Sequence, residues 1–90
     1  MKVKGYEIKP GASLQGADLK EANLQGVGLQ YADLSNANLE YANLTGTCLR
    51  CAHLLGANLK GATLMGIDLW RTCLHKANLE DADLREADLK

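Results

Sequence analysis

Ninety residues, 47% apolar and 23% charged, make at most one domain and exclude a disordered tail. Ten basic residues against eleven acidic ones leave a net charge of -1, which excludes a general nucleic-acid binder and its strong positive excess. No apolar run reaches the roughly 18 residues of a membrane span, and the basic Met1–Tyr6 stretch has no apolar segment behind it, so neither a span nor a secretory signal is expected.

Along the chain, Val3, Tyr6 and Ile8 alternate loosely as a strand, and Pro10-Gly11 marks a turn. From Ala12 onward the sequence is a five-residue repeat. Leu occupies every fifth position from Leu14 to Leu89, sixteen times without a miss. Two residues before each Leu stands Ala in twelve cases, with Val27, Thr47, Ile67 and Thr72 in the others. The residue just before Leu is usually Asp or Asn, and Gly recurs two residues after it, as at Gly16, Gly26 and Gly46. An α-helix does not explain this register. At about 100° per residue, successive leucines would fall about 140° apart and form no apolar face. Each repeated Gly would also cost a helix about 1 kcal/mol. In extended chain, residues two apart point the same way, so each Ala–Leu pair faces one interior. Because five is odd, a turn must restore the alternation once per repeat, and Gly, Asn and Asp suit such turns.

The motif Ala-[Asp/Asn]-Leu-x-x over residues 12–90 resembles that of the pentapeptide-repeat proteins. The resemblance implies an all-β fold, a right-handed quadrilateral β-helix with four pentads per coil and Leu and Ala filling the core. It divides the chain into an N-terminal capping strand and turn, residues 1–11, and about four coils: 12–31, 32–51, 52–71 and 72–90. Residues twenty apart then stack on one wall. Val27, Thr47 and Ile67, the larger inward residues, fall twenty apart on the fourth wall and support the coil length independently. On the second wall Lys20, Glu40, Lys60 and Glu80 form a column of alternating charge, and Asn38, Asn58 and Asn78 are expected to form an amide ladder. Coils spaced by about 4.8 Å make a rod roughly 19 Å long. Tyr6 or Ile8 is expected to plug the first end. Leu74, Leu79, Leu84 and Leu89 are expected to leave the other end open, and open strand edges pair with other chains, so a homodimer through the last coil is expected.

Three features are candidates for chemistry or binding. The run Cys48-Leu49-Arg50-Cys51-Ala52-His53, followed by Cys73-Leu74-His75, has spacings suggestive of zinc, and the coil places Cys51, His53, Cys73 and His75 near one corner. Flat walls converge poorly on a tetrahedral ion, so these residues read first as substitutions of Asp or Asn, and no metal or cofactor is expected. Leu55, Met65 and Trp70 put apolar side chains where other repeats carry polar ones and are candidate partner contacts. They lie on three different walls, and Trp70 is expected to stack between Arg50 and Lys90. Glu80, Asp81, Asp83, Glu86 and Asp88 make the last coil acidic, which reads as a solvated surface.

An interior filled by Leu and Ala leaves no cleft for a substrate, so catalysis is not expected. The odd number of cysteines argues against a complete disulfide framework and for a reducing, cytoplasmic setting. The expected role is a rigid structural or protein–protein interaction module with an unidentified protein partner, and with neither direct nucleic-acid nor membrane binding. The resemblance suggests an alternative, since some pentapeptide-repeat proteins mimic B-DNA and bind DNA gyrase in its place. DNA carries one charge per roughly 1.7 Å, so a rod of about 19 Å should mimic about eleven charges. Without Glu7, Lys2, Lys4 and Lys9, residues 12–90 keep ten acids and seven bases, a net of -3.

Overall fold

The computed structural model describes residues 1–89. Parallel bridges join residues twenty apart on every wall: Ser13 to Asp33, Asp18 to Asn38, Asn23 to Asn43 and Gly28 to Cys48, and so on up the stack. The result is a quadrilateral β-helix, with no helix among the described residues. Each wall offers only one bridged residue per coil, because the pentad must turn before a longer strand can form.

Hydrogen bonds between coils repeat in register. Leu14 N–H donates to Asp33 O at 2.8 Å, and Asp33 N–H donates back to Ala12 O at 2.9 Å. The corners are four-residue turns. Ala17 N–H donates to Leu14 O at 3.1 Å, and Gly16 in the third position has φ 68°, the sign a type II turn requires. All sixteen corner residues from Gly11 to Glu86 share that sign, although only seven are glycine.

Inside the tube, Leu19, Leu24, Leu29, Leu34, Leu39, Leu44, Leu49, Leu54 and Leu59 are fully buried. Thr47, the one buried polar residue described, is accommodated because its hydroxyl donates to Leu24 O in the coil below at 2.7 Å. Thr72 repeats the device on Leu49 O at 2.6 Å. Val27, by contrast, is only half-buried.

Two expectations need correction. The first eleven residues do not run as a single strand. Lys2–Val3 (β1) and Tyr6–Glu7 (β2) pair antiparallel around Lys4-Gly5, whose φ values of 54° and 85° have the signs of a type I′ hairpin turn. Ile8 is buried in the core, Val3 and Tyr6 pack against it, and the Tyr6 hydroxyl accepts the Asp18 N–H at 3.2 Å. On the second wall the asparagines do not act as an amide-to-amide ladder. Asn38, Asn58 and Asn78 each turn Oδ1 to the N–H two residues on, that of Glu40, Lys60 or Glu80, at 3.0–3.1 Å. The local bond wins because it satisfies an outward amide that no neighbouring coil reaches. The charge column does pair, Lys20 with Glu40 at 3.6 Å and Lys60 with Glu80 at 3.8 Å.

Candidate functional site

The lattice fixes where each candidate lies. His53 bridges to Asp33 below and Cys73 above on the first wall, with His75 two residues further along. Cys51 occupies the corner before that wall, and Cys48 stacks on Gly28 on the fourth wall. These residues are lattice neighbours, but their side chains do not converge. No group of three or more His, Cys, Asp or Glu among the described residues is arranged to hold a metal ion, and all three thiols are free. Leu55, Met65 and Trp70 sit on the first, third and fourth walls, so they share no surface. Leu74, Leu79 and Leu84 are half-buried and Leu89 is exposed, forming the last layer of the stack.

Trp70 has the expected Arg50 beside it and an additional neighbour in Arg71. Arg50 lies 5.4 Å and Arg71 4.8 Å from its ring centroid, so Arg71 is the second cation beside the ring, and Lys90 lies outside the described residues. Arg50 Nε also donates to Asp68 Oδ2 at 2.5 Å, while Asp68 Oδ1 accepts the Trp70 N–H at 3.1 Å. One carboxylate thus holds a wall amide and a guanidinium together. Asp83 does the same with Arg85, taking its N–H at 3.1 Å and Nη2 at 2.7 Å. The Arg85 side chain and then its amide pull the Asp83 carboxyl down to about 2. The Trp70 amide and then the Arg50 guanidinium lower Asp68, and the Ser35 amide and hydroxyl lower Asp33.

This bond from an Asp or Asn Oδ1 to the N–H two residues on occurs nine times, at 3.0–3.2 Å. It is absent among the described residues where Ser13, Gly28, Cys48, His53, Thr63 or Cys73 replaces the Asp or Asn. Five of those six lie on the first and fourth walls. The edge joining these walls carries Tyr31, Cys51 and Arg71 at φ 57–65°. Beside it stand Arg50, Trp70, His53 and Cys73. Arg71 was not among the candidates from sequence. Writing the chain in rows of twenty would have found it, because it falls in the column of Tyr31 and Cys51.

The pentapeptide-repeat family model matches residues 11–40, 37–69 and 64–90, with eight copies. The similar solved structures include three pentapeptide repeat proteins. A pentapeptide repeat protein (Rfr23) from the cyanobacterium Cyanothece 51142 has a TM-score of 0.84 and 34% identity over 87% of this chain. One from Nostoc Pcc 7120 has a TM-score of 0.85 and 42% identity over 87%. One from the Arabidopsis thaliana thylakoid lumen has a TM-score of 0.82 and 33% identity over 83%. The chain spans 54%, 64% and 52% of their respective lengths. None of the curated proteins matches it. On the repeat, the coil and the family match together, the chain belongs to the pentapeptide-repeat family.

Proposed function

We propose that the chain is a rigid, non-catalytic module that presents side chains on its walls to a protein partner. The supporting observation is the filled interior. The inward leucines from Leu14 to Leu69 are almost entirely shielded, and there is no pocket among the described residues. Outward polar groups sit on flat, hydrated walls, where burial cannot retune an acid or a base. What the fold supplies is spacing, a fixed lattice about 4.8 Å apart along each wall.

DNA mimicry is the weaker reading. The molecule is 29 Å long, a length over which DNA would carry about seventeen charges, against the net -3 of residues 12–90. Cations stand among the acids on three walls: Lys20 and Lys60 on the second, Arg85 on the third and Arg50 on the fourth. Inhibition of gyrase supercoiling at micromolar protein would revive it. The interaction reading is tested by affinity capture from the source cell with wild type, Trp70→Ala and Leu55→Lys. Selective loss of a retained protein with one variant supports it. Retention of nothing, or of the same set by all three proteins and by an unrelated β-solenoid, overturns it.

A further inference from the structure

We propose that the edge between the fourth and first walls binds a carboxylate-bearing, acidic segment of a protein partner through Arg50, Arg71 and the unfilled Arg50 amide. The proposal rests on the interaction-module reading and gives that module a site and a partner chemistry.

The receptor is recognisable because the chain contains filled copies of it. At Asp68 one carboxylate accepts the Trp70 N–H with one oxygen and the Arg50 guanidinium with the other, and at Asp83 one carboxylate accepts both the N–H and the guanidinium of Arg85. In coil two of the fourth wall the carboxylate is missing. Cys48 stands at the position of the Asp, and the Arg50 N–H two residues on has no acceptor among the described residues. One coil below, Gly28 leaves the Gln30 amide in the same state. The Gln30 side chain folds back over the space above Gly28, its Oε1 buried without a partner.

The guanidiniums point the same way. Arg50 and Arg71 are held over the same indole, and only Arg50 has a described carboxylate partner, Asp68. Arg71 makes no ion pair with any described residue, and its planar fork suits a carboxylate bidentately. Asp68 satisfies one of the two guanidiniums, so an incoming carboxylate has the other, Arg71, to pair with. Carboxylate is favoured over a nucleic-acid backbone because Asp33, Asp68 and Asp88 surround the patch, and the whole chain is net negative. A track of phosphates would meet repulsion along both walls, whereas one or two carboxylates meet only the clamp.

Trp70 is the single tryptophan, so its fluorescence reports on this edge alone. The probe is an acetylated, amidated ten-residue glycine peptide with two adjacent glutamates at its centre, titrated to about 5 mM, deep in the weak-binding range. The expected result is a saturable change in Trp70 emission. Affinity should fall about tenfold in Arg71→Asn, which keeps a residue tolerant of positive φ but removes the fork. It should fall similarly in Cys48→Asp, which supplies the missing carboxylate from within. No response, an unchanged affinity in both variants, or tighter binding of a ten-residue oligothymidylate overturns the proposal. If wild type captures a protein through another wall but ignores the peptide, this site is wrong and the module reading stands.

Discussion

Truncating Leu54 to alanine tests whether the interior is as rigid as the hydrogen-bond ladder requires. Leu54 is fully buried in coil three, with a coil below it and another above. Its own N–H donates to Cys73 O at 2.8 Å, and His53 N–H donates to Ala32 O at 2.9 Å, so the wall is pinned to both neighbours. Losing three carbons forfeits about 2.4 kcal/mol of transfer free energy. A pinned wall cannot collapse into the void, which puts the total at the upper end of the usual range, about 3–5 kcal/mol. A chain of this length has roughly 5–13 kcal/mol in all, so the variant should fold but melt early. Leu84 is only half-buried in the last coil, so Leu84→Ala should cost about 1–2 kcal/mol. Urea unfolding followed by circular dichroism should show a midpoint lowered by about 2–3 M for Leu54→Ala, and by less than half of that for Leu84→Ala. Equal shifts would mean that the interior relaxes freely and that the walls do not set its volume.

Three further outcomes follow from particular contacts. Asp33, Asp68 and Asp83 have carboxyl groups held below their ordinary values, so the stability they contribute is complete above about pH 4 and is lost as pH falls through the folded values, about 2 for Asp83. Replacing all three with Asn keeps the acceptor, as Asn38 and Asn58 show, and should flatten the melting temperature between about pH 4 and pH 2; the effect is modest because the groups are exposed and salt screens them. An acid limb unchanged by the triple substitution would contradict this. Gly61→Ala meets both a positive φ and the ring of Tyr41, whereas Gly46→Ala meets only the φ. The dihedral should cost about 1 kcal/mol in each, Gly61→Ala should cost more, and Tyr41→Ala in its background should recover the excess in thermal melts. Thr47→Val keeps the volume but loses the bond to Leu24 O, and should lower stability by about 1 kcal/mol in urea; a neutral or stabilising result would remove that bond from the account.

The period of five was legible because every buried position from Ala12 onward obeys it. The coil length was legible from Val27, Thr47 and Ile67, since only a closed tube needs its larger residues stacked. The hairpin was not. Strands of two residues have no periodicity to detect, and Lys4-Gly5 lacks the Asn or Asp that usually announces a type I′ turn. The asparagine column looked the same in sequence whether its side chains bonded to one another or to their own backbone. That Arg71 joins Arg50 beside Trp70 was likewise hidden. The lattice fixes Cα positions, but Arg71 at a left-handed corner can swing its side chain across the edge in a way the column pattern does not encode.

The walls carry what the interior cannot. Any Leu–Ala stack satisfies the core, so inward residues say how the chain folds and nothing about what it meets. Outward positions are informative where the local rule is broken. Left-handed corners without glycine are not distinctive alone, since Glu21, Tyr41 and Asp81 occupy another edge at φ 60–62°. On the second wall, however, Asp18, Asn38, Asn58 and Asn78 all keep their backbone bonds. The fourth wall has lost two such acceptors in adjacent coils, at Gly28 and Cys48, beside the edge of Tyr31, Cys51 and Arg71. Each unfilled amide forgoes a bond of about 1 kcal/mol that an Asp or Asn would restore at no cost to the core. A ligand that supplies the missing acceptor regains that free energy on binding, which makes this edge the place where a partner has most to offer.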